Sequence, residues 1–165
     1  MPRKLCLLIH FFILLGLQKT VGQVKGNFLE QSQSLFIEFG GNSLLYSVNY
    51  ERMSGSRGFR VGYGYTKKFF ENPTFFVPGE FLIVRGKRNG KLELGVGLTY
   101  VRVKNVPKTL KNEFYLFGRV GYRYDGPNGF LFKIGFTPLH FFAVHHEKLK
   151  LVLPYAGASF GHVIN

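Results

Sequence analysis

The chain has little cysteine, no tryptophan and few acidic residues. Its one cysteine, Cys6, lies near the N-terminus, so the rest of the chain can form no disulfide bond, cysteine-based metal site or thiol nucleophile. Only nine Asp and Glu residues accompany 22 Lys and Arg residues, which gives a formal charge of +13. This basic balance favours nucleic acid, anionic lipid or an acidic glycan as partner.

The chain also lacks any apolar run of the roughly 20 residues that a membrane-spanning helix needs. Its N-terminus has a basic start, an apolar segment over residues 5–17 and a more polar exit, the three parts of a secretory signal peptide. We predict a signal peptide over residues 1–23, cleaved after Gln23 or alternatively after Gly22, and one mature domain over residues 24–165. A retained N-terminal anchor is the alternative. Export argues against nucleic acid as the partner and leaves a mature charge of about +10.

Glycine and aromatic residues are abundant, with 21 Gly, 19 Phe and nine Tyr. Residues 91–102 read Lys-Leu-Glu-Leu-Gly-Val-Gly-Leu-Thr-Tyr-Val-Arg, in which large apolar side chains alternate with charged or small ones. Such alternation indicates a strand with one apolar face, and the run matches the 9–11 residues of a tilted strand that crosses a bilayer. Seven other segments follow related patterns: 35–39, 44–51, 59–65, 75–85, 114–124, 130–138 and 155–164. We therefore predict an all-β, eight-stranded antiparallel up-and-down transmembrane β-barrel.

The predicted connections alternate in length along the chain. Short ones fall at 51–58, 86–91 and 125–128, and longer ones fall at 66–75, 103–112 and 139–154. Short periplasmic turns and longer outer loops are typical of outer-membrane barrels. Only the first connection, at residues 40–43, is shorter than this scheme prefers. Within the fourth strand, Pro78 and Gly79 predict a β-bulge.

Alternation alone also fits a soluble lipocalin-like barrel that binds an apolar ligand inside. Two features favour the membrane. The polar parity is rich in glycine, which leaves room in a narrow lumen, and tyrosines on the apolar parity collect near strand ends, as in the aromatic girdle of a membrane barrel. The predicted girdle consists of Tyr46, Tyr50, Tyr65, Tyr100, Tyr122 and Tyr124.

Charged residues occur on the parity that would face the lumen. They are Glu38, Glu51, Glu93, Arg60, Arg119, Arg123 and Lys133. Unpaired charge is costly away from water, so we expect these side chains to pair across a lumen that eight strands make only wide enough for side chains. The prediction is a polar core without an open pore, and a proton or ion path is the alternative.

Other candidate sites lie mainly in the longer connections. Lysines predicted there are candidate contacts for lipopolysaccharide phosphates: Lys67, Lys68, Lys104, Lys108 and Lys111. His140, His145 and His146 beside Glu147 match no familiar metal-ligand spacing, so we predict neither a metal site nor a cofactor. A lipid-modifying enzyme would have to use Ser159, His162 and Glu147, but the first two fall on opposite parities of one strand. We therefore predict a non-catalytic protein.

Four runs, at residues 39–52, 121–124, 133–139 and 154–162, resemble those of small, mostly uncharacterised outer-membrane β-barrel proteins of Gram-negative bacteria, the OmpA/OmpX-like eight-stranded barrels. The resemblance covers nearly all of the mature chain and is specific for architecture. It implies a monomer in the outer membrane, with lipid and the outer-membrane insertion machinery as partners and a structural or surface-interaction role. The chain departs from the family in ending on Ile164-Asn165 instead of an aromatic residue. Phe160 is the nearest substitute.

Overall fold

The computed structural model describes residues 31–69, 72–104, 110–141 and 152–164, so the predicted signal peptide lies outside the described residues. This part of the chain forms strands joined by tight turns, two of which are 3₁₀ turns, η1 (Gly41–Ser43) and η2 (Pro127–Gly129). No helix within it is long and apolar enough to cross a membrane. The strands are β1 (Gln31–Gly40), β2 (Tyr46–Ser54), β3 (Arg57–Phe69), β4 (Asn72–Lys87), β5 (Gly90–Lys104), β6 (Leu110–Asp125), β7 (Phe130–Phe136), β8 (Leu139–Phe141), β9 (Val152–Leu153) and β10 (Ala156–Ile164).

Eight of these strands close into a ring. The hydrogen-bonded order is β5-β4-β3-β2-β1-β10-β7-β6, and pairing of β5 with β6 completes the circle. Every pairing is antiparallel, including the one that joins the first strand to the last. The short strands β8 and β9 extend the wall where β7 and β10 stop, because β8 pairs with β6 and β9 pairs with β8. The predicted eight-stranded antiparallel barrel is therefore confirmed.

The apolar parity of the strands faces outward. On β5, Val96 is 60% exposed, whereas Glu93 and Thr99 on the other parity are 2% and 0% exposed. Exposed large apolar side chains occur on all eight long strands of the ring. This is the arrangement predicted for a membrane barrel and the reverse of the soluble lipocalin-like alternative.

Inward-facing glycines make room for long side chains in the lumen. A Cβ atom on Gly95 would lie 2.1 Å from a carboxylate oxygen of Glu80, and one on Gly97 would lie 2.4 Å from the ring of Phe117. A Cβ atom on Gly62 would lie 2.2 Å from the side-chain oxygen of Asn49. Glycine is therefore needed on these strands because any larger residue would displace the contents of the barrel.

One predicted connection is wrong. The longer loop expected at 66–75 is absent, since β3 continues to Phe69 and β4 begins at Asn72. A register shift between Thr66 and Phe69 lets the two strands stay paired as far as Phe69 and Asn72, although an Asn-Pro pair at 72–73 favours a turn or loop. The other connections on this side, 41–45, 105–109 and 142–151, are longer than those on the other side, which are 55–56, 88–89 and 126–129. We call the two ends of the barrel the long-loop end and the short-turn end.

Two local assignments also differ from the structure. The register between β4 and β5 runs without a shift through Pro78 and Gly79, so the predicted bulge is absent. The Pro78 ring fits beside Gly62, where a Cβ atom would lie only 2.9 Å from it. Leu44 is buried and Leu45 is exposed, the reverse of what the alternation of the predicted strand 44–51 gives for these two positions. Both precede β2 and belong to a turn, so the alternation of the strand does not extend to them.

We predict that Gly161→Ala destabilises the closed barrel. The added methyl carbon would lie 2.2 Å from Cβ of Phe36 and 2.3 Å from the carbonyl oxygen of Leu35, on the strand that closes the ring. We expect a loss of about 1–3 kcal/mol in the free energy of unfolding, measured by urea titration in lipid vesicles.

Gly118→Ala is the matched control, because its methyl carbon would find no neighbour nearer than 3.6 Å. We expect it to change the free energy of unfolding by no more than about 0.5 kcal/mol. Equal effects of the two substitutions would show that the contact between β1 and β10 is not as close as described.

Candidate functional site: the charged barrel interior

Four carboxylates and four cations lie buried together in the middle of the barrel. They are Glu38, Glu51, Glu80, Glu93, Arg60, Arg119, Arg123 and Lys133, and each is no more than 4% exposed. Their formal charges cancel. We call this set the lumenal charge network. The seven residues nominated from the sequence all lie in it, and strands on all sides of the barrel contribute.

Arg60 on β3 connects three of the carboxylates. Its Nη2 atom lies 2.7 Å from Oε2 of Glu51 and 2.6 Å from Oε1 of Glu93, and its Nη1 atom lies 2.9 Å from Oε2 of Glu80. A guanidinium group has five N–H donors in a fixed plane, so one arginine can satisfy several acceptors at once. Arg60 therefore joins β2, β3, β4 and β5 across the lumen.

The other cations extend the network to the opposite wall. Arg119 on β6 contacts Glu38 at 2.6 Å and Glu80 at 3.0 Å. Lys133 on β7 lies 2.5 Å from Glu51 and 3.1 Å from Glu93. Arg123 donates a hydrogen bond to Glu51 as well. Every one of the four cations thus contacts at least one carboxylate on another strand, and the network crosses the barrel.

Phe36 lies on the inward face of β1 and packs against two of the cations. The guanidinium carbon of Arg60 is 5.0 Å from the centre of its ring, and the ammonium nitrogen of Lys133 is 4.3 Å away. Cations close to an aromatic face are stabilised by the ring quadrupole, most strongly where water is excluded. Phe36 therefore helps to stabilise the buried cations, although its own side chain is apolar.

Glu80 was missed by the sequence analysis. Pro78 and Gly79 obscured the alternation of the fourth strand, so no inward face was assigned there. The signal was nevertheless present, because Leu82 and Val84 share the inward parity of β4 with Glu80 and all three are buried. Extending the parity back from the regular end of the strand would have identified it.

The turn between β1 and β2 folds into the long-loop end of the lumen. Gly41, Asn42 and Ser43 are buried, and the backbone carbonyl of Asn42 accepts hydrogen bonds from Thr99 at 2.9 Å and Tyr115 at 2.5 Å. The side chain of Asn42 donates to Glu80 at 3.4 Å and so touches the charge network. The sequence predicts only a short connection at residues 40–43 and does not indicate that it enters the lumen.

Apolar side chains cover the inserted turn. This long-loop plug consists of Leu44, Phe76, Val101, Tyr115, Phe117 and Leu139, with Val103 and Tyr155 packed against it. Tyr155 also donates a hydrogen bond to the backbone carbonyl of Leu44. Side chains therefore fill the lumen between the charge network and the long-loop end.

At the short-turn end a second, smaller apolar cluster is formed by Met53, Leu82 and Val84. A cavity of about 420 Å³ lies at the same end, and its lining includes Lys91, Arg123 and Asp125. Asp125 accepts from Lys91 at 2.6 Å and from Arg123 at 2.7 Å, and Asp125 and Lys91 are both partly exposed. Arg123 thus connects the buried charge network to a partly solvated ion pair at this mouth.

The six tyrosines nominated as an aromatic girdle all lie on the outer parity. Tyr46, Tyr65 and Tyr100 lie towards the long-loop end, Tyr122 and Tyr124 lie towards the short-turn end, and Tyr50 lies in the middle of β2. Two of them use their hydroxyl groups within the wall, since Tyr50 donates to Gln33 at 2.9 Å and Tyr100 donates to Asn112 at 2.8 Å.

The candidate lipopolysaccharide contacts are only partly visible. Lys67 is exposed on β3, the backbones of Lys68, Lys104 and Lys111 belong to strands, and Lys108 lies outside the described residues.

Among the described residues no group of three or more His, Cys, Asp or Glu side chains could hold a metal ion. His140 lies on β8, whereas His145, His146 and Glu147 fall outside that part of the chain. Ser159 is buried in the barrel and His162 is exposed, so they lie on opposite faces of β10.

Together, the apolar exterior and the filled, charge-neutral interior define a transmembrane type of eight-stranded β-barrel. Comparison with solved structures agrees. The N-terminal β-barrel domain of Pseudomonas aeruginosa OprF is similar over 81% of this chain and 96% of that domain, with a TM-score of 0.63 and 13% sequence identity. At 13% sequence identity, the similarity establishes the fold alone.

Two other solved structures are less similar. Neisserial surface protein A has a TM-score of 0.47 and 12% identity over 81% of this chain and 92% of its own. Ail of Yersinia pestis has a TM-score of 0.44 and 9% identity over 82% of this chain and 100% of its own. No protein-family model and no curated protein matches the sequence.

We predict that Glu51→Gln strongly destabilises the barrel. Its carboxylate contacts Arg60, Arg123 and Lys133, so its removal leaves buried positive charge without compensation. We expect a loss of about 3–5 kcal/mol in the free energy of unfolding, measured by denaturant titration in detergent or vesicles. Adding Lys133→Met to this variant should restore part of the loss, because it returns the network to neutrality.

Asp125→Asn provides the comparison, because Asp125 and its partner Lys91 are partly exposed at the barrel mouth and its other partner, Arg123, keeps its contact with Glu51. An ion pair in contact with water contributes little, so we expect a loss of no more than about 1 kcal/mol. Finding that Glu51→Gln costs no more than Asp125→Asn would contradict the view that the buried network stabilises the barrel.

Proposed function

We propose that the protein is an integral outer-membrane β-barrel with a structural or surface-interaction role, without an open pore and without catalytic activity. The observation that supports this most is that the barrel is apolar outside and charged inside, the reverse of a soluble protein. Large apolar side chains cover the outer face of every long strand, and the buried charges lie inside. Only a solvent as apolar as the acyl chains of a membrane makes that arrangement favourable.

The extent of the apolar exterior supports a membrane location. The largest apolar patch on a typical soluble monomer is about 300–600 Å², whereas here the exposed apolar side chains encircle the barrel. Strands β3 to β6 contain 13–16 residues each, more than the roughly 9–11 that a tilted strand needs to cross the hydrocarbon core. The wall is thus long enough to span a bilayer.

The content of the lumen supports a closed barrel. An eight-stranded barrel is only wide enough to be filled by side chains, and here the charge network lies between an apolar plug and an apolar cluster. A soluble carrier of an apolar ligand would need a continuous apolar cavity, and polar groups occupy the middle of this lumen instead. An ion path would have to cross the apolar plug at the long-loop end.

The lipid-modifying enzyme is the weaker hypothesis. Its serine, Ser159, faces the barrel interior, whereas His162 is exposed on the outer face of the same strand. A nucleophile and its general base must come within hydrogen-bonding reach, about 2.6–3.2 Å, and side chains on opposite faces of one strand cannot do so. The set nominated from the sequence therefore gives no support to catalysis.

The proposed topology follows from the two ends of the barrel. Both ends of the described chain, at Gln31 and Ile164, lie at the short-turn end, which we assign to the periplasm. The long-loop end would then face outward and carry the lysines proposed as lipopolysaccharide contacts. Signal-peptide export and delivery by the outer-membrane insertion machinery belong to this same proposal.

Two measurements test the proposed function. Carbonate extraction of membranes should leave the protein in the pellet, because its apolar exterior is buried in lipid, and detergent should be needed to release it. Purified protein in planar bilayers should show no stable open channel. Release of the protein by carbonate or salt alone would refute the membrane assignment, and a persistent conductance would refute the closed interior.

A further inference from the structure

Four cationic side chains lie on the outer surface of the barrel at the short-turn end. They are Arg52 on β2, Arg57 on β3, and Arg85 and Lys87 on β4, and all four are exposed. We call this group the basic arc. The charge network and the long-loop lysines do not involve it, so the proposed function leaves it without a role.

The basic arc faces away from the barrel axis. Arg57 shares the outward parity of β3 with Phe59, which is 50% exposed, whereas the adjacent inward residue, Arg60, is buried. Arg85 shares the outward parity of β4 with Phe81, and Leu82 and Val84 face inward. The cations therefore project towards the medium around the barrel and not over its mouth.

The members of the basic arc are close neighbours. Ser54 pairs with Arg57, which makes Arg52 a diagonal neighbour of Arg57, and Ile83 pairs with Arg57, which makes Arg85 another. Diagonal neighbours on paired strands have Cα atoms about 7–8 Å apart. This is no greater than the distance over which physiological salt screens charge, so the cations repel one another.

No carboxylate relieves that repulsion within the described part of the chain. Ion pairs there use Arg60, Lys91, Arg119, Arg123 and Lys133, and none involves a member of the basic arc. Arg52 does donate a hydrogen bond to the neutral side chain of Gln31 at 3.1 Å. A concentrated positive surface without acidic partners is suited to an anion supplied from outside.

The position of the basic arc along the strands indicates which anion it would meet in a membrane. Arg57 lies two residues beyond Phe59, and Arg85 lies four residues beyond Phe81, towards the short-turn end. At about 3.3 Å per residue, the cations begin roughly 7 Å past the exposed aromatic rings. If the rings are in acyl chains, the arginines are at the depth of the lipid phosphates.

The arc occupies only one side of the barrel. At the same end, the outer surfaces of β5, β6 and β7 present Leu92, Tyr122 and Phe130, all exposed and uncharged. A general requirement for charge at the membrane surface would place cations on these strands too. With the exposed Arg88 in the turn after β4, the cations cluster on β2, β3, β4 and that turn, which is what a localised binding surface requires.

We propose that the basic arc binds the phosphate groups of anionic phospholipids in the leaflet at the short-turn end. Arginine suits this role because its guanidinium group can donate two parallel hydrogen bonds to one phosphate. The proposal rests on the membrane location proposed above. It adds a lipid preference on the side opposite to the long-loop lysines.

The test uses folded protein in phosphatidylcholine vesicles that contain a trace of spin-labelled phosphatidylglycerol or, separately, spin-labelled phosphatidylcholine. Electron spin resonance measures the lipid that is immobilised on the barrel, and the ratio of the two gives a selectivity. We expect phosphatidylglycerol to be favoured about fivefold, the effect of one basic residue close to an anionic surface. The preference should weaken as salt is added.

The decisive variant replaces all four members with glutamine: Arg52→Gln, Arg57→Gln, Arg85→Gln and Lys87→Gln. Selectivity should then fall close to one. Arg57→Gln alone should cause part of that loss, and Arg102→Gln is its matched control, because Arg102 is an exposed arginine near the other end of the wall. An unselective wild-type protein, or an equal loss in Arg102→Gln and Arg57→Gln, would overturn the proposal.

Two controls separate this inference from other failures. Circular dichroism and flotation with the vesicles show whether each variant is folded and inserted. A wild-type protein that does not float with vesicles refutes the membrane function itself, whereas one that floats without lipid selectivity refutes only the role of the basic arc. Binding of soluble peptidoglycan fragments that disappears in the fourfold variant, without lipid selectivity, would assign the arc to a glycan and also overturn the proposal.

Discussion

Neutralisation of buried charge is the constraint on which this barrel depends. Transferring a single carboxylate or ammonium group out of water costs several kcal/mol even after the surroundings relax, so neither set of charges is tolerable in the lumen without the other. The four carboxylates and four cations in the described lumen cancel and contact one another across the barrel. Because the partners lie on different strands, the cancellation is complete only when the ring is closed.

The rest of the interior fits around that network. Inward glycines leave space for its long side chains, as Gly95 does for Glu80. The inserted turn and the long-loop plug cover one side of it, and the cluster of Met53, Leu82 and Val84 lies towards the other. Charges so enclosed interact more strongly than they would in water. The polar core and the apolar exterior are thus two parts of one arrangement.

The architecture could be predicted from the sequence because it depends on a period of two. Successive side chains of a strand point to opposite faces, so a strand with an apolar medium on one side has an alternating sequence. This alternation can be recognised without knowing which distant residues the strand contacts. The same parity placed Arg60, Arg119 and Lys133 inside. What parity cannot give is which carboxylate each cation contacts, because that depends on register and on the width of the closed ring.

Features that depend on distant contacts could not be predicted. The turn that contains Asn42 enters the lumen because its carbonyl finds donors on Thr99 and Tyr115, which are far away in sequence. Its residues look like those of any tight hairpin. Likewise, Asn72-Pro73 is a reasonable loop signal in isolation, and only pairing with β3 keeps it within a strand.

The most direct test of the central claim asks what surrounds the outer face of the wall. The chain contains no tryptophan, so Val96→Trp introduces a single reporter at a position that is 60% exposed in the middle of β5. In vesicles, lipids brominated along their acyl chains should quench its fluorescence and aqueous iodide should not. The reverse is expected for Asn89→Trp in an exposed turn. Quenching of the Val96→Trp protein by iodide and not by brominated lipid would contradict the account.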